Sequence, residues 1–99
     1  TLKKEEGKLD FNQDAHELER RVRAFNPWPG AFMDFDGMQL KVHRTRVETG
    51  EALVGQRLIV QNQPAVGARG GILILEEVQP AGKKPMSGQS FLAGARNWA

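Results

Sequence analysis

The sequence contains no cysteine and no tyrosine among its 99 residues. The absence of cysteine excludes a disulfide framework and a thiolate metal site. Single-strand nucleic-acid binders need exposed aromatic rings for base stacking, yet the five phenylalanines here fall mostly at apolar-periodic positions. No apolar run approaches the ~20 residues of a membrane span, and the charged first residues do not resemble a signal peptide. We therefore expect a domain of a soluble, reducing compartment.

Catalytic signatures are also missing. The two histidines, His16 and His43, have no motif around them, and the sequence has no nucleophile elbow, phosphate-binding loop or metal-ligand spacing. We interpret both histidines as surface or barrel-wall residues rather than acid–base groups. The sequence thus predicts no catalytic residue and no metal ligand.

The length and charge indicate one mildly basic domain. A chain of 99 residues can bury one modest core, and 39% hydrophobic residues argue against disorder. The net charge is +2. Residues 1–50 hold nine basic and nine acidic residues, whereas residues 51–99 hold five and three. Nucleic acid is a permitted partner only if basic groups gather on one face.

The chain opens with a charged segment and a helix. Residues 1–11 turn apolar only at Leu9 and Phe11, so we interpret them as a linker that enters a domain of residues 12–99. Asn12 and Asp14 are both candidate N-caps, and Asp14 has capping-box spacing to Glu17. The apolar stripe of the predicted helix consists of Ala15, Leu18, Val22 and Phe25.

After Pro27 the hydrophobic period becomes that of strands. Asp36-Gly37 is a hairpin signal, and loss of alternation near Arg44 and Arg46 predicts a bulge or barrel rim. Ser87 is a candidate cap for a short last helix. The predicted strands cover residues 31–35, 38–45, 57–61, 64–66 and 72–78. The predicted fold class is mainly β: a small OB-like barrel with an N-terminal helix and a short C-terminal helix.

A rigid turn with one aromatic ring separates helix and strands. It reads Asn26-Pro27-Trp28-Pro29-Gly30. Tryptophan is large and amphipathic, so we expect Trp28 to be a buried plug where the helix meets the barrel, near Phe25 or Phe32.

This turn and a second string, Gln79-Pro80-Ala81-Gly82-Lys83-Lys84, together resemble the C-terminal domain of methionyl-tRNA formyltransferases. The segment Leu9-Asp10-Phe11 and the closing Phe91-Leu92 are similar to the same family, whereas residues 47–68 match it poorly. The resemblance implies an OB-like barrel that holds initiator tRNA through a basic face. It also implies a missing N-terminal Rossmann-like domain that binds 10-formyltetrahydrofolate and carries the catalytic residues, so we expect no cofactor in this fragment.

The remaining expectations follow from that resemblance. The partners would be initiator methionyl-tRNA and the missing formyltransferase domain, with no membrane, and the chain would be a monomer of the cytoplasm or an organellar matrix. The candidate nucleic-acid-binding residues are Lys3, Lys4, Arg20, Arg23, Lys41, Arg44, Arg46, Lys83 and Lys84.

Each candidate has a structural interpretation beside the functional one. Arg20 and Arg23 either form a phosphate-facing ridge or belong to a solvated helix face with Glu17–Arg21 and Glu19–Arg23 pairs. The basic strand residues and the two loop lysines either contact phosphates or keep the domain soluble.

Two other functions remain open. One is a structural module of a sugar-nucleotide or other folate-dependent formyltransferase that touches no RNA. The other is a free-standing single-strand binder, which would need exposed rings. A continuous basic face favours tRNA, whereas scattered, paired charges favour the structural module.

Overall fold

Six antiparallel strands form one sheet in the computed structural model, which describes residues 3–99. Two α-helices and a short 3₁₀ turn, Lys4–Gly7, accompany it. The helices are Ala15–Ala24 (α1) and Gly88–Gly94 (α2). The strands are Ala31–Phe35 (β1), Met38–Glu48 (β2), Arg57–Val60 (β3), Gln63–Ala68 (β4), Gly71–Pro80 (β5) and Met86–Ser87 (β6). The predicted mainly-β class with two helices is confirmed.

Helix α1 begins at the predicted cap. Asp14 Oδ1 accepts a hydrogen bond from the backbone N–H of His16 at 2.9 Å, which satisfies one of the free donors of the first turn. Glu17 does not complete a capping box, because its carboxylate pairs with Arg20 instead. The buried stripe of Ala15, Leu18 and Val22 packs against β2 and β5.

Two tight turns set the strand registers. Asp36 and Gly37 have φ values of 53° and 76°, and positive φ at both central residues is the condition of a type I′ hairpin turn. Gln61 and Asn62 repeat it, with φ values of 53° and 62°. Strand β3 therefore ends at Val60, one residue earlier than expected, because Gln61 already belongs to the turn.

The predicted irregularity in β2 is confirmed. Val42 pairs with Val78 and Thr45 pairs with Leu75, and the register shifts between them. Consequently two consecutive side chains, those of His43 and Arg44, lie between the buried Val42 and Thr45. The bulge restores alternation, so β2 continues to Glu48 with one face still toward the core.

The sheet is rolled, but backbone hydrogen bonds do not close it. The strand order is β1-β2-β5-β4-β3, with β6 attached to β5, and within residues 3–99 no ladder joins the edge strands β1 and β3. Side chains bridge the gap. The guanidinium of Arg57 on β3 lies 5.1 Å from the ring centroid of Phe35 on β1. The domain is therefore OB-like in its rolled sheet, with an edge-to-edge seam made by side chains.

Trp98 fills that seam. Its ring is fully buried, 5.0 Å from Phe35 and 5.7 Å from Phe91. Its Nε1–H donates to the carbonyl of Leu58 on β3 at 2.8 Å, and its own carbonyl accepts from Arg57 Nε at 2.6 Å. Through its side chain and its backbone carbonyl, Trp98 thus ties the residues after α2 to both edge strands.

The core lies on both faces of the central strands. The main cluster joins α1, the concave side of the sheet, Phe91 and Trp98. A smaller cluster on the other face is formed by Ala65, Ile72 and Ile74, with Ala52, Leu58 and Val60 packed around it. Burial on both faces explains why residues 64–68 and 71–75 are buried without alternation.

The expectation of a buried Trp28 is wrong. Its side chain is 63% exposed, and the buried member of the turn is Pro29. The turn closes on its own backbone, since the N–H of Gly30 donates to the carbonyl of Phe25 at 2.8 Å. The aromatic position in the core is occupied by Trp98, so the turn does not need its ring for packing.

Candidate nucleic-acid interface

The nine predicted basic residues fall into two groups in the structure. The arginines Arg20, Arg23, Arg44 and Arg46 each contact a carboxylate. The lysines are exposed, and within residues 3–99 no carboxylate oxygen lies within 4.0 Å of their ammonium nitrogens; they are Lys3, Lys4, Lys41, Lys83 and Lys84. An exposed cation without a carboxylate partner can bind a phosphate without first breaking an ion pair within the protein.

The helix arginines sit in ion pairs along α1. Arg23 donates to both carboxylate oxygens of Glu19, at 2.6 and 3.0 Å, so the predicted Glu19–Arg23 pair is confirmed. Glu17 pairs with Arg20 at 2.7 Å, and this hydrogen bond raises the pKa of Arg20 above its ordinary value. Both arginines therefore lie on a face of alternating charge.

The predicted Glu17–Arg21 pair is wrong. Arg21 turns toward the N-terminal segment and donates from Nη2 to the carbonyl of Glu6 at 2.9 Å. Its guanidinium also lies 4.7 Å from the centroid of the Phe25 ring, a favourable cation–π geometry. This arginine ties the helix to the 3₁₀ turn.

The strand arginines belong to a polar network on the outer face of the sheet. Arg46 Nε contacts Glu76 on β5 at 3.2 Å, and Arg46 also pairs with Glu48 on its own strand. Its Nη2 donates to Gln61 at 2.7 Å in the β3–β4 turn. Arg44 shares Glu76 at 3.4 Å. The network links β2, β5 and the hairpin that follows β3, so these arginines have a structural role that their strand position alone did not reveal.

Three lysines gather at the opposite end of the same face. Lys41 on β2 pairs in register with Gln79 on β5, and β5 then ends in a turn that carries Lys83 and Lys84. The N–H of Lys83 donates to the carbonyl of Pro80 at 3.1 Å, and Gly82 has a φ of 76°. A positive φ at the third residue of a turn requires glycine, as in type II turns.

A hydrogen-bonded chain connects this turn to β2. Gln79 Nε2 donates to the carbonyl of Lys83 at 2.8 Å, and Gln79 Oε1 lies 2.9 Å from His43 Nε2. A carbonyl can only accept, so the amide NH₂ of Gln79 must face Lys83. The oxygen of Gln79 then faces His43, whose Nε2 carries the proton and donates it.

Sequence reasoning missed Gln79 and His43 as parts of this end. The alternation of a β-strand could have indicated His43, because it lies two residues after Lys41 on the same strand and therefore shares its face. The pairing of Lys41 with Gln79 was not predicted, because β2 and β5 are distant in sequence and no local pattern sets their alignment. Lys3 precedes the 3₁₀ turn and Lys4 begins it, and both are exposed.

Within residues 3–99 no group of three His, Asp or Glu side chains is placed to hold a metal ion. His16 is exposed on α1, and His43 is engaged with Gln79. A cleft of about 580 Å³ is lined by residues 50–53, Gln56, Ala68 and Gly70, among which Glu51 is the ionisable side chain. No helix among these residues is long and apolar enough to cross a membrane.

Fold and site together define a small rolled β-domain with a lysine-bearing end. The family described as "Formyl transferase, C-terminal domain" matches residues 1–96, and the chain belongs to that family. It is 45% identical over 94 residues to a protein named methionyl-tRNA formyltransferase from Myxococcus xanthus strain DK1622. The resemblance deduced from the two proline-containing strings is thereby confirmed.

The match covers 94% of this chain but 30% of that relative, so the chain spans less than a third of the relative's length. Solved structures give the same fold. HypX from Aquifex aeolicus, in complex with tetrahydrofolic acid, superimposes with a TM-score of 0.74 at 18% identity, over 93% of this chain and 17% of HypX. A multiply substituted HypX variant gives a TM-score of 0.76 at 17% identity, over 100% of this chain and 19% of that one.

Proposed function

We propose that this chain is the tRNA-holding domain of a methionyl-tRNA formyltransferase. It binds initiator methionyl-tRNA through phosphate contacts and positions it for N-formylation by a catalytic domain outside this chain. The observation that carries the proposal is the division of the basic residues: the arginines are held by carboxylates, whereas Lys41, Lys83 and Lys84 stand exposed together at one end of the sheet.

The physical contribution of such a domain is proximity and charge. Phosphate contacts fix the position of a nucleic acid without selecting its sequence, and holding a substrate beside a catalytic site converts an encounter into an intramolecular step. We assign the formyl donor, 10-formyltetrahydrofolate, to the catalytic domain, because the sequence of this chain carries no catalytic signature. We place the enzyme in the cytoplasm or an organellar matrix, where initiator tRNA is used.

The experiment is a tRNA titration across salt concentrations. If about three to five lysines meet phosphates, the logarithm of the affinity should fall with the logarithm of salt at a slope near −3 to −5, at ~0.9 per contact as in duplex DNA. Initiator and elongator tRNAs should bind with similar affinity, because the contacts are to the backbone. Salt-independent binding, or a strong preference for one tRNA, would contradict the proposal.

A matched pair of double variants separates placement from net charge. Replacing Lys83 and Lys84 with Ala should flatten the salt slope by up to about 2. Replacing Arg20 and Arg23 with Ala removes the same two charges but should change the slope by well under 1, since Glu17 and Glu19 already occupy those guanidiniums. Equal effects of the two double variants would show that only net charge matters.

The competing function is a structural module that contacts no RNA. The ion pairs of Arg20, Arg23, Arg44 and Arg46 are the observation that favours it. That function predicts no measurable tRNA binding by the chain at moderate salt, and the same titration therefore decides between the two.

A further inference from the structure

A small cleft lies beside the lysine turn. It has a volume of about 110 Å³ and is lined by Gln39, Lys41, Gln79 and residues 80–82. Pockets for drug-sized ligands occupy ~300–1,000 Å³, so a nucleotide does not fit. The cleft has room for one small polar group.

The chemistry of the lining favours an anion. Lys41 contributes an ammonium group, and Gln39 and Gln79 contribute amide donors. Of the described residues that line the cleft, none carries a carboxylate. Asp34, which pairs with Gln39 across β1 and β2, is balanced by Lys8 at 3.1 Å, and Glu77, two residues before Gln79 on β5, pairs in register with Arg44. One amide hydrogen of Gln79 is used by Lys83, which leaves the second available to a ligand.

Gln79 also fixes the shape of the cleft. Its two ends are held, by the carbonyl of Lys83 at 2.8 Å and by His43 at 2.9 Å. The turn between Pro80 and Lys83 is therefore fastened both by its own backbone hydrogen bond and by a side chain from the strand that precedes it. Because the turn is fastened, its backbone is already ordered, and binding then costs only the rotamer freedom of the lysine side chains.

We infer that this cleft is a subsite for a single backbone phosphate of RNA, and that Gln79 is the positioning residue that shapes it. The inference rests on the proposed function, because it assumes that the domain binds RNA. Lys41 contacts the phosphate on one side of the cleft, and the turn bearing Lys83 and Lys84 encloses it on the other.

Replacing Gln79 with Met tests the positioning role, because Met keeps the length of the stem but makes neither hydrogen bond. We expect affinity for tRNA and for a short RNA duplex to fall about three- to tenfold. The salt slope should change by less than 1, because no charge is lost. Gln89→Met, on the exposed surface of α2, is the matched control and should bind as the parent does.

A double-mutant cycle distinguishes the positioning role of Gln79 from a general loss of stability or structure. In a background where Lys83 and Lys84 are already Ala, Gln79→Met should have a smaller effect than in the parent, because no turn lysines are left to position and only the contacts within the cleft are lost. Additive losses would overturn the positioning role. Backbone relaxation measured by NMR should show faster motion of residues 82–84 in Gln79→Met while thermal unfolding stays within a few degrees of the parent.

Amide chemical shifts locate the phosphate. On titration with the RNA duplex, we expect the largest chemical-shift changes at Lys41 and at residues 81–84. In Gln79→Met, the chemical-shift changes at residues 81–84 should disappear. Changes concentrated on α1 would overturn the subsite. If the parent chain binds no RNA, the proposed function and this inference both fail. If the parent binds with the expected salt slope but Gln79→Met binds equally well, only the inference fails.

Discussion

Replacing Trp98 with Ala is the most direct test of how the rolled sheet is held closed. The indole is fully buried and packs against Phe35 and Phe91. Truncation of a buried Trp costs about 3–5 kcal/mol, and loss of the Nε1–H bond leaves the carbonyl of Leu58 without its partner, which adds about 1 kcal/mol. A domain of this size has about 5–15 kcal/mol in total. The variant should therefore lose a large part of its stability and come close to unfolding.

The chain supplies its own control. Trp28→Ala is the same substitution at the second tryptophan, which is 63% exposed, and exposed substitutions stay within about 0.5 kcal/mol. Urea denaturation followed by circular dichroism measures both free energies of unfolding. Fluorescence adds an independent check, because Trp28→Phe leaves Trp98 as the remaining tryptophan. The emission of Trp98 should be blue-shifted in the folded protein, and it should shift to the red on unfolding. If Trp28→Ala is the more destabilising change, the assignment of the core tryptophan is refuted.

Three further substitutions test packing elsewhere. Thr45→Val should raise the free energy of unfolding by about 1 kcal/mol, because the Oγ1 of this buried side chain has no hydrogen-bond partner within residues 3–99; a clear loss in urea denaturation would contradict this. Gly88→Ala should lower the melting temperature strongly, since its Cβ would lie 2.1 Å from the carbonyl oxygen of Leu75. Gly94→Ala, on the same helix with nothing within 4 Å of its Cβ, should be neutral or gain up to about 1 kcal/mol. Equal melting temperatures for the two glycine variants would show that α2 is free to move off β5.

Local sequence patterns were sufficient to predict most of the strands and turns. Asp36-Gly37 predicted the first hairpin because its residue types match the turn geometry, and Asp14 and Ser87 predicted the two helix caps. The second hairpin was harder to locate, since Gln61-Asn62 adopts the same geometry with less typical residues. These features depend on neighbours in sequence, which is why they could be deduced without a structure.

Burial of the two tryptophans could not be deduced in that way. Trp28 stands in the most distinctive string of the chain, but the turn around it is satisfied by its own backbone. Trp98 follows the last helix in an inconspicuous segment, and its burial depends on the distant strands β1 and β3. A local pattern carries no information about which of two rings meets those strands.

The sequence could indicate which basic residues are candidates for the interface, but not how their side chains are arranged or paired in the fold. The sequence singled out nine basic residues, and the partners of the arginines decide which of them are engaged. Glu76 reaches Arg44 and Arg46 only because both strands are irregular at that point. The roles of all nine in tRNA binding remain predictions that the salt titrations test.

The side-chain seam between β1 and β3 has a consequence for the order in which the domain can be assembled during synthesis. The six strands of the described residues all precede Trp98 in the sequence, so the nascent sheet has two unpaired edges until the segment after α2 leaves the ribosome. Exposed strand edges are sites of wrong pairing with other chains. Completion of the fold therefore depends on the segment after α2, and a chain that stops before Trp98 should be prone to aggregation rather than form a slightly shorter domain.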